Sequence, residues 1–212
     1  MKKVLLSAVA LLAFGFANAQ EEEKANGGFA KGDMFVSGSV GIKSTKIGDF
    51  KTSEFTLAPS FNYFVTENIS VGAKVGYTSA KDMVLSSFGG EDLPYEAPVD
   101  YNTLTFGAMG RYYFTPANQF SLFGQLGMDF GVSTIDKFDG VSVDTDNKVN
   151  TFNVAAGLGM NYFVSSNFSL EAGVGVIGYN TSKPDYSGAE STNTFSFGGD
   201  WTNVTFGVNY KF

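Results

Sequence analysis

Beyond Lys31 the chain alternates between apolar and polar or small residues with a period of two. Across 55–63, Phe55, Leu57, Pro59, Phe61 and Tyr63 interleave with Thr56, Ala58, Ser60 and Asn62. Across 69–77, Ile69, Val71, Ala73, Val75 and Tyr77 interleave with Ser70, Gly72, Lys74 and Gly76. Matching apolar sets are Leu104, Phe106, Ala108, Tyr112 and Phe114, then Phe120, Leu122, Leu126, Met128 and Phe130, then Phe152, Val154, Ala156, Leu158, Met160 and Tyr162. Phe168, Leu170, Ala172, Val174 and Val176 follow, and Val204, Phe206, Val208, Tyr210 and Phe212 come last; Met34, Val36, Val40 and Ile42 open the series. Successive side chains of a strand point to opposite faces, so each run predicts a strand with two unlike faces. Helical spacing is not seen.

The pattern predicts about eight strands of roughly 9–12 residues, longer than soluble strands usually are and close to what a tilted strand needs to cross a bilayer. Tight connections at 65–68, 115–119 and 164–167 alternate with longer ones near 44–51, 80–100, 133–148 and 181–200. Short turns at one end and long polar loops at the other are the layout of an outer-membrane barrel. The expected fold is therefore all-β: an eight-stranded antiparallel up-and-down transmembrane β-barrel over 32–212, closed by pairing of its first and last strands.

Volume decides which face is outside. The apolar face carries roughly 40 side chains, about 15 of them aromatic, whereas eight strands enclose a lumen just wide enough for side chains to fill. The other face is dominated by Ser, Thr and Gly, including Gly72, Gly107, Gly159 and Gly173, and suits a crowded interior. Charges agree: Glu54, Lys74, Arg111, Asp129, Glu171 and Lys211 all fall at inward parity. Buried charges are expected to be paired, so Glu54, Lys74, Arg111, Asp129 and Glu171 are expected to form a lumen charge network. Lys74 is expected to meet Glu171 across the lumen, with Arg111 nearby.

Aromatic residues gather at the strand ends. Tyr63, Tyr112, Phe114, Phe120, Tyr162, Phe168, Tyr210 and Phe212 lie near the tight turns, and Phe55, Tyr77, Tyr101, Phe130, Tyr179 and Trp201 toward the other end. Two such rings are expected where a barrel meets the two membrane interfaces. One phrase marks the first ring: NYFVTENISVGA at 62–73 returns as YYFTPANQFSLFG at 112–124 and NYFVSSNFSLEAG at 161–173, and NYKF occupies 209–212. Each copy is read as a descending strand end, an interfacial aromatic, a tight turn and the next ascending strand. Aligning Tyr112 with Asn62 puts the second copy out of register and suggests a slip or bulge near Tyr112. The last copy stops where the eighth strand has no ninth to turn into.

Composition narrows the function. Lys2 and Lys3 precede an apolar run ending at Phe16, and Ala17-Asn18-Ala19 supplies small residues for cleavage, so 1–19 reads as a signal peptide. Residues 20–31, QEEEKANGGFAK, read as a flexible N-terminal segment too short to plug a pore. The formal net charge of -7 argues against nucleic acid as a partner. Cys and His are both absent, which removes disulfides, thiolate and histidine-based catalysis and nearly all zinc sites. Gly173-Val-Gly175-Val-Ile-Gly178 matches a dinucleotide fingerprint by letters, but its glycines lie inside a predicted strand instead of between a strand and a helix. Asp144, Asp146 and Asn147, with Asp136 and Asp139 nearby, could offer oxygen ligands to Ca²⁺, but the EF-hand spacing is missing and a solvated acidic loop is the better reading. No cofactor is expected.

With these features the chain resembles the small eight-stranded outer-membrane barrels of the OmpA, OmpX and OmpW type, often called porin-like. The resemblance covers about 32–212 and includes the last strand, Val204-Thr-Phe206-Gly-Val208-Asn-Tyr210-Lys-Phe212, which is similar to the signal read by the barrel assembly machinery. It implies a location in the bacterial outer membrane, reached through the periplasm after signal-peptide cleavage, with outer-membrane lipids as surroundings. The implied function is non-enzymatic, structural or surface-interacting through long acidic extracellular loops whose partner is unspecified. The alternative is a narrow path for small solutes. OmpA carries a periplasmic peptidoglycan-binding domain after its barrel; this chain ends at its last strand, so that role is not expected.

Overall fold

In hydrocarbon no water pairs with a free N–H or C=O, so alternating strands must form a sheet that closes on itself. The computed structural model describes residues 27–47, 50–86, 95–138, 141–142, 148–198 and 204–212, and these contain no helix. The strands are β1 (Met34–Ile47), β2 (Phe50–Phe64), β3 (Ile69–Ser86), β4 (Tyr95–Tyr113), β5 (Phe120–Phe138), β6 (Val141–Ser142), β7 (Lys148–Phe163), β8 (Phe168–Pro184), β9 (Thr192–Phe197) and β10 (Thr205–Lys211). All pairings are antiparallel. β6 is a short extension hydrogen-bonded to β5, outside the main path.

The barrel has eight strand positions, because β9 and β10 share the last one. β9 pairs with the upper part of β8, from Ile177↔Phe197 to Ser182↔Thr192, and β10 with its lower part, from Thr205↔Gly173 to Tyr210↔Phe168. β10 also pairs with β1, from Phe35↔Lys211 to Ser39↔Gly207, which closes the sheet. The up-and-down, first-to-last order expected from the alternation is the observed one.

Strand length departs from expectation. β1 to β5, β7 and β8 run 14 to 19 residues. Much of what reads as loop near 44–51, 80–100, 133–148 and 181–200 is strand that continues past the apolar band, as where Lys81 pairs with Asp100. Alternation of apolar residues marks only the part of a strand that needs an apolar face; backbone pairing carries on without one.

The faces divide as the volume argument requires. Phe106, Leu126 and Leu158 point outward and are 51%, 59% and 57% exposed. Ser37, Ser60, Asn62, Ser70, Arg111, Ser121, Asn161 and Asn209 are buried inside. Two irregularities interrupt the alternation. Asp136 is extra between Asp100↔Lys137 and Tyr101↔Ile135, and Val176 is extra between Gly157↔Gly175 and Ala156↔Ile177. An added residue shifts the parity of everything beyond it, so the lipid-facing set of β8 does not continue through Val176 but resumes at Ile177 and Tyr179, both exposed. Near Tyr112 there is no bulge: Arg111↔Gln125, Tyr112↔Gly124 and Tyr113↔Phe123 continue in register. The second copy of the repeated phrase aligns one residue earlier, with Arg111-Tyr112-Tyr113 matching Asn62-Tyr63-Phe64.

The interior is not uniformly small-lined. At the tight-turn end Phe35, Phe64, Tyr113, Phe123 and Phe163 point inward and form a buried aromatic cluster with Phe29. Phe29 belongs to the N-terminal lead-in, so that segment does reach the lumen, against the expectation that it is too short to plug it. Residues 20–26 lie outside the described residues.

Phe106, near mid-height on the outer face, is a direct test of orientation. Phe106→Arg is expected to lower stability by about 2–4 kcal/mol, measured by reversible urea unfolding in lipid vesicles; an unchanged midpoint would contradict a lipid-facing Phe106.

Candidate functional site: the lumen and its floor

Three inward levels follow from the order of residues along each strand. Next to the tight turns the repeated phrase places a polar group inside, an aromatic outside and a second large residue inside: Asn62-Tyr63-Phe64 on β2, Arg111-Tyr112-Tyr113 on β4, Asn161-Tyr162-Phe163 on β7 and Asn209-Tyr210-Lys211 on β10. The inner rings make a floor. Phe29 stacks on Phe64 at 4.8 Å between centroids, tilts against Phe35 at 4.7 Å and meets Phe163 and Tyr113 edge-on at 4.8 and 5.4 Å. Tyr113 in turn packs on Phe64 and Phe123 at 5.1 Å each. Burying each Phe side chain contributes about 1.5–3 kcal/mol, and offset or edge-on pairing adds to that.

One step above lies a polar belt. Asn209 Nδ2 donates to Asn161 Oδ1 at 2.8 Å, to Ser169 Oγ at 3.2 Å and to Glu171 Oε2 at 3.2 Å, while its Oδ1 accepts from Ser37 Oγ at 2.5 Å. This one side chain therefore ties β1, β7 and β8 together at the closing seam. Arg111 completes the belt. Its Nη1 and Nη2 donate to Glu171 Oε2 and Oε1 at 2.7 and 2.9 Å, its Nε to Gln125 Oε1 at 2.6 Å and its Nη1 to Tyr113 Oη at 3.3 Å. The guanidinium also lies over the Phe123 ring at 4.7 Å. A two-pronged guanidinium–carboxylate pair fixes direction as well as charge.

The third level is Lys74 with Asp129, Nζ to Oδ1 at 2.9 Å. Lys74 pairs in register with Gly107, and Gly107 with Asp129, so the two charges flank a residue without a side chain. A Cβ on Gly107 would overlap the Asp129 carboxylate and come within 2.9 Å of Lys74 Cε. A cavity of about 260 Å³ adjoins both charged levels, with Lys74, Arg111, Glu171, Gln125, Ser37 and Ser60 among its walls.

The expected network is thus partitioned differently. Lys74 does not pair with Glu171; Arg111 takes Glu171 across the lumen and Lys74 takes Asp129 along the wall. Counting residues up from each turn misjudges height, because the strands of a barrel tilt and each is staggered against the next. Glu54 joins neither pair; among the described residues it accepts a long bond, 3.4 Å, from Thr56 Oγ1. Lys211, at inward parity, donates to Gly28 O and lies 3.6 Å from Asp33 Oδ2. Of the outer aromatics, Tyr63, Tyr112, Phe114, Tyr162, Tyr210 and Phe212 are exposed at the tight-turn end, Tyr112 with Phe114 and Tyr210 with Phe212 as edge-on pairs at 5.4 Å. Phe168 is buried beside Tyr210 instead of standing free in this ring. Trp201, Asp139, Asp144, Asp146 and Asn147 lie outside the described residues. Gly173, Gly175 and Gly178 lie within β8 and open no helix. Sequence reasoning missed the asparagine belt and the floor, although the signal was present: at opposite parity to each repeated Tyr stand a polar residue before it, Asn in three copies and Arg111 in the fourth, and a large residue after it, Phe64, Tyr113, Phe163 or Lys211.

The family model described as outer membrane protein beta-barrel domain matches residues 6–212. The chain belongs to this family. Among solved structures, a major outer membrane protein from Thermus thermophilus is similar with a TM-score of 0.54 at 12% identity, covering 85% of this chain and 98% of that one. OprG, an outer membrane protein from Pseudomonas aeruginosa, gives 0.51 at 16% identity over 89% and 99% of the two chains. Neisserial surface protein A gives 0.50 at 16% identity over 84% and 97%. At these identities the likeness is one of fold. No curated protein sequence matches. Within the family's outer-membrane barrel this chain's inward side chains form the aromatic floor, the asparagine belt and the two ion pairs.

Arg111 is the group on which the belt relies. Arg111→Ala, which strands Glu171 in a largely buried setting, is expected to cost about 3–5 kcal/mol, whereas Arg111→Met with Glu171→Leu recovers most of the loss; equilibrium unfolding of the three proteins in lipid is the measurement.

Proposed function

We propose that the chain is a non-enzymatic outer-membrane barrel with a structural or surface-interaction role, sealed to solutes, that meets the environment through long acidic loops. The observation that carries the sealed reading is the lumen itself: an aromatic floor with Phe29 at its centre lies beneath the Arg111–Glu171 pair, and the Lys74–Asp129 pair lies above both. Family membership supports an outer-membrane location, and the run of exposed apolar side chains on the outer face supports lipid as its solvent. The exposed Tyr63, Tyr112, Tyr162 and Tyr210 suit the interface on the tight-turn side. Cleavage after residue 19 during export belongs to the same proposal. The cavity of about 260 Å³ that adjoins the charged levels favours the second reading, a narrow path for small solutes.

Planar-bilayer recording separates the two. The sealed barrel gives no steady single-channel openings in symmetrical salt, and reproducible unitary openings would replace it with the narrow path.

We further propose that the β10 segment ending at Phe212 is what the barrel assembly machinery recognises. Phe212→Ala is then expected to reduce the amount of assembled protein in cells and leave refolding from urea into detergent unchanged; equal losses in both assays would make Phe212 a stability residue only.

A further inference from the structure

We propose that the tight-turn mouth is an aromatic-accepting site which the chain fills with its own residues 27–33, and that Lys211 of the closing strand is the catch that holds this strap in place. The strap enters as Gly27-Gly28-Phe29. Phe29 is 2% exposed although it belongs to no strand, and its ring touches residues from β1, β2, β4 and β7. Its N–H donates to Pro116 O in the β4–β5 turn at 2.7 Å.

The two preceding glycines fit this path for a steric reason. A Cβ on Gly27 would overlap the Phe163 ring, and one on Gly28 would overlap the Ala117 carbonyl. Only a backbone without side chains passes between the β7 aromatic and the turn. The strap then leaves through Gly32, whose φ of 93° lies in the left-handed region and whose N–H donates to Phe64 O at 2.9 Å. Asp33 Oδ2 accepts from Ala30 N at 2.9 Å, and Phe64 N donates back to Asp33 O at 2.9 Å.

The catch comes from the opposite end of the chain. Lys211 Nζ donates to Gly28 O at 2.5 Å, lies 3.6 Å from Asp33 Oδ2 and sits over the Phe163 ring at 5.4 Å. Lys211 occupies this position only when β10 is paired with β1, since Phe35↔Lys211 is the first rung of the seam. The floor therefore reaches its final form after the barrel has closed. The strap deepens the sealed reading given above and rests on it.

The absence of cysteine allows a clean test. Ser70→Cys places the sole thiol on β3 just above the floor, between Phe64 and Arg111 in register. Labelling of the folded, detergent-solubilised protein by a charged thiol reagent then reports opening of the mouth, because a buried site reacts in proportion to its open population. Adding Phe29→Ala is expected to speed labelling by about tenfold or more, and adding Lys211→Met by a smaller factor of about threefold. Circular dichroism and resistance to SDS establish that each variant remains a folded barrel. Equal labelling rates with and without Phe29 would overturn the strap. Acceleration by Phe29→Ala with none by Lys211→Met would overturn the catch. Steady conductance of the wild-type barrel would defeat the sealed reading by a separate measurement, so the two failures are distinguishable.

Discussion

Everything in this molecule depends on one constraint: a backbone hydrogen bond has no substitute in hydrocarbon. A sheet edge left open at membrane depth would cost several kcal/mol for each orphan group, so β10 must find β1. The seam that results is short, five paired residues from Phe35↔Lys211 to Ser39↔Gly207. Side chains reinforce it where the ladder is brief. Ser37 and Asn209, directly opposite each other in register, also share a side-chain hydrogen bond, and Asn209 reaches on to β7 and β8.

Closure then dictates what the interior can hold. A lumen of eight strands must be filled by its own side chains, and charges placed there need partners at close range. Two solutions coexist here. Arg111 and Glu171 span the lumen and are braced by Gln125, Tyr113 and Asn209. Lys74 and Asp129 stay on the wall, using the space that Gly107 leaves between them. The first pair joins distant strands and the second joins strands separated by one neighbour, so they stabilise the barrel cross-section in different directions.

Much of the fold was legible because a period of two states both the element and its faces. Strand number, the tight turns, the closing pair and the inward parity of Lys74, Arg111, Asp129 and Glu171 all followed from it. Strand ends did not, because pairing outlasts the apolar band, as Lys81 opposite Asp100 illustrates. Partner choice in the lumen did not either: it depends on stagger between strands, which no single strand encodes. Val176 misled because a bulge reverses parity within an unbroken apolar run. Phe29 was out of reach for a different reason. It belongs to no alternating segment, and its burial is decided by rings brought from four strands. The alignment of the second repeat failed by one residue because Arg111 stands where the other copies carry Asn, and similarity of letters favoured the wrong match.

The repeated phrase puts its outward Tyr and its floor residue on adjacent positions of the same strand, one rise of about 3.3 Å apart. With those Tyr residues at the interface, as proposed above, the floor is tied to headgroup level and cannot slide independently of the bilayer. A barrier at mid-depth would divide the lumen into two vestibules. Here the ring cluster lies between the tight-turn mouth and the Arg111–Glu171 pair, and in the sealed barrel proposed above any exchange of ions or protons with that pair runs from the opposite mouth. In electrical terms, such a barrel would concentrate its access resistance from the tight-turn side in the aromatic cluster around Phe29.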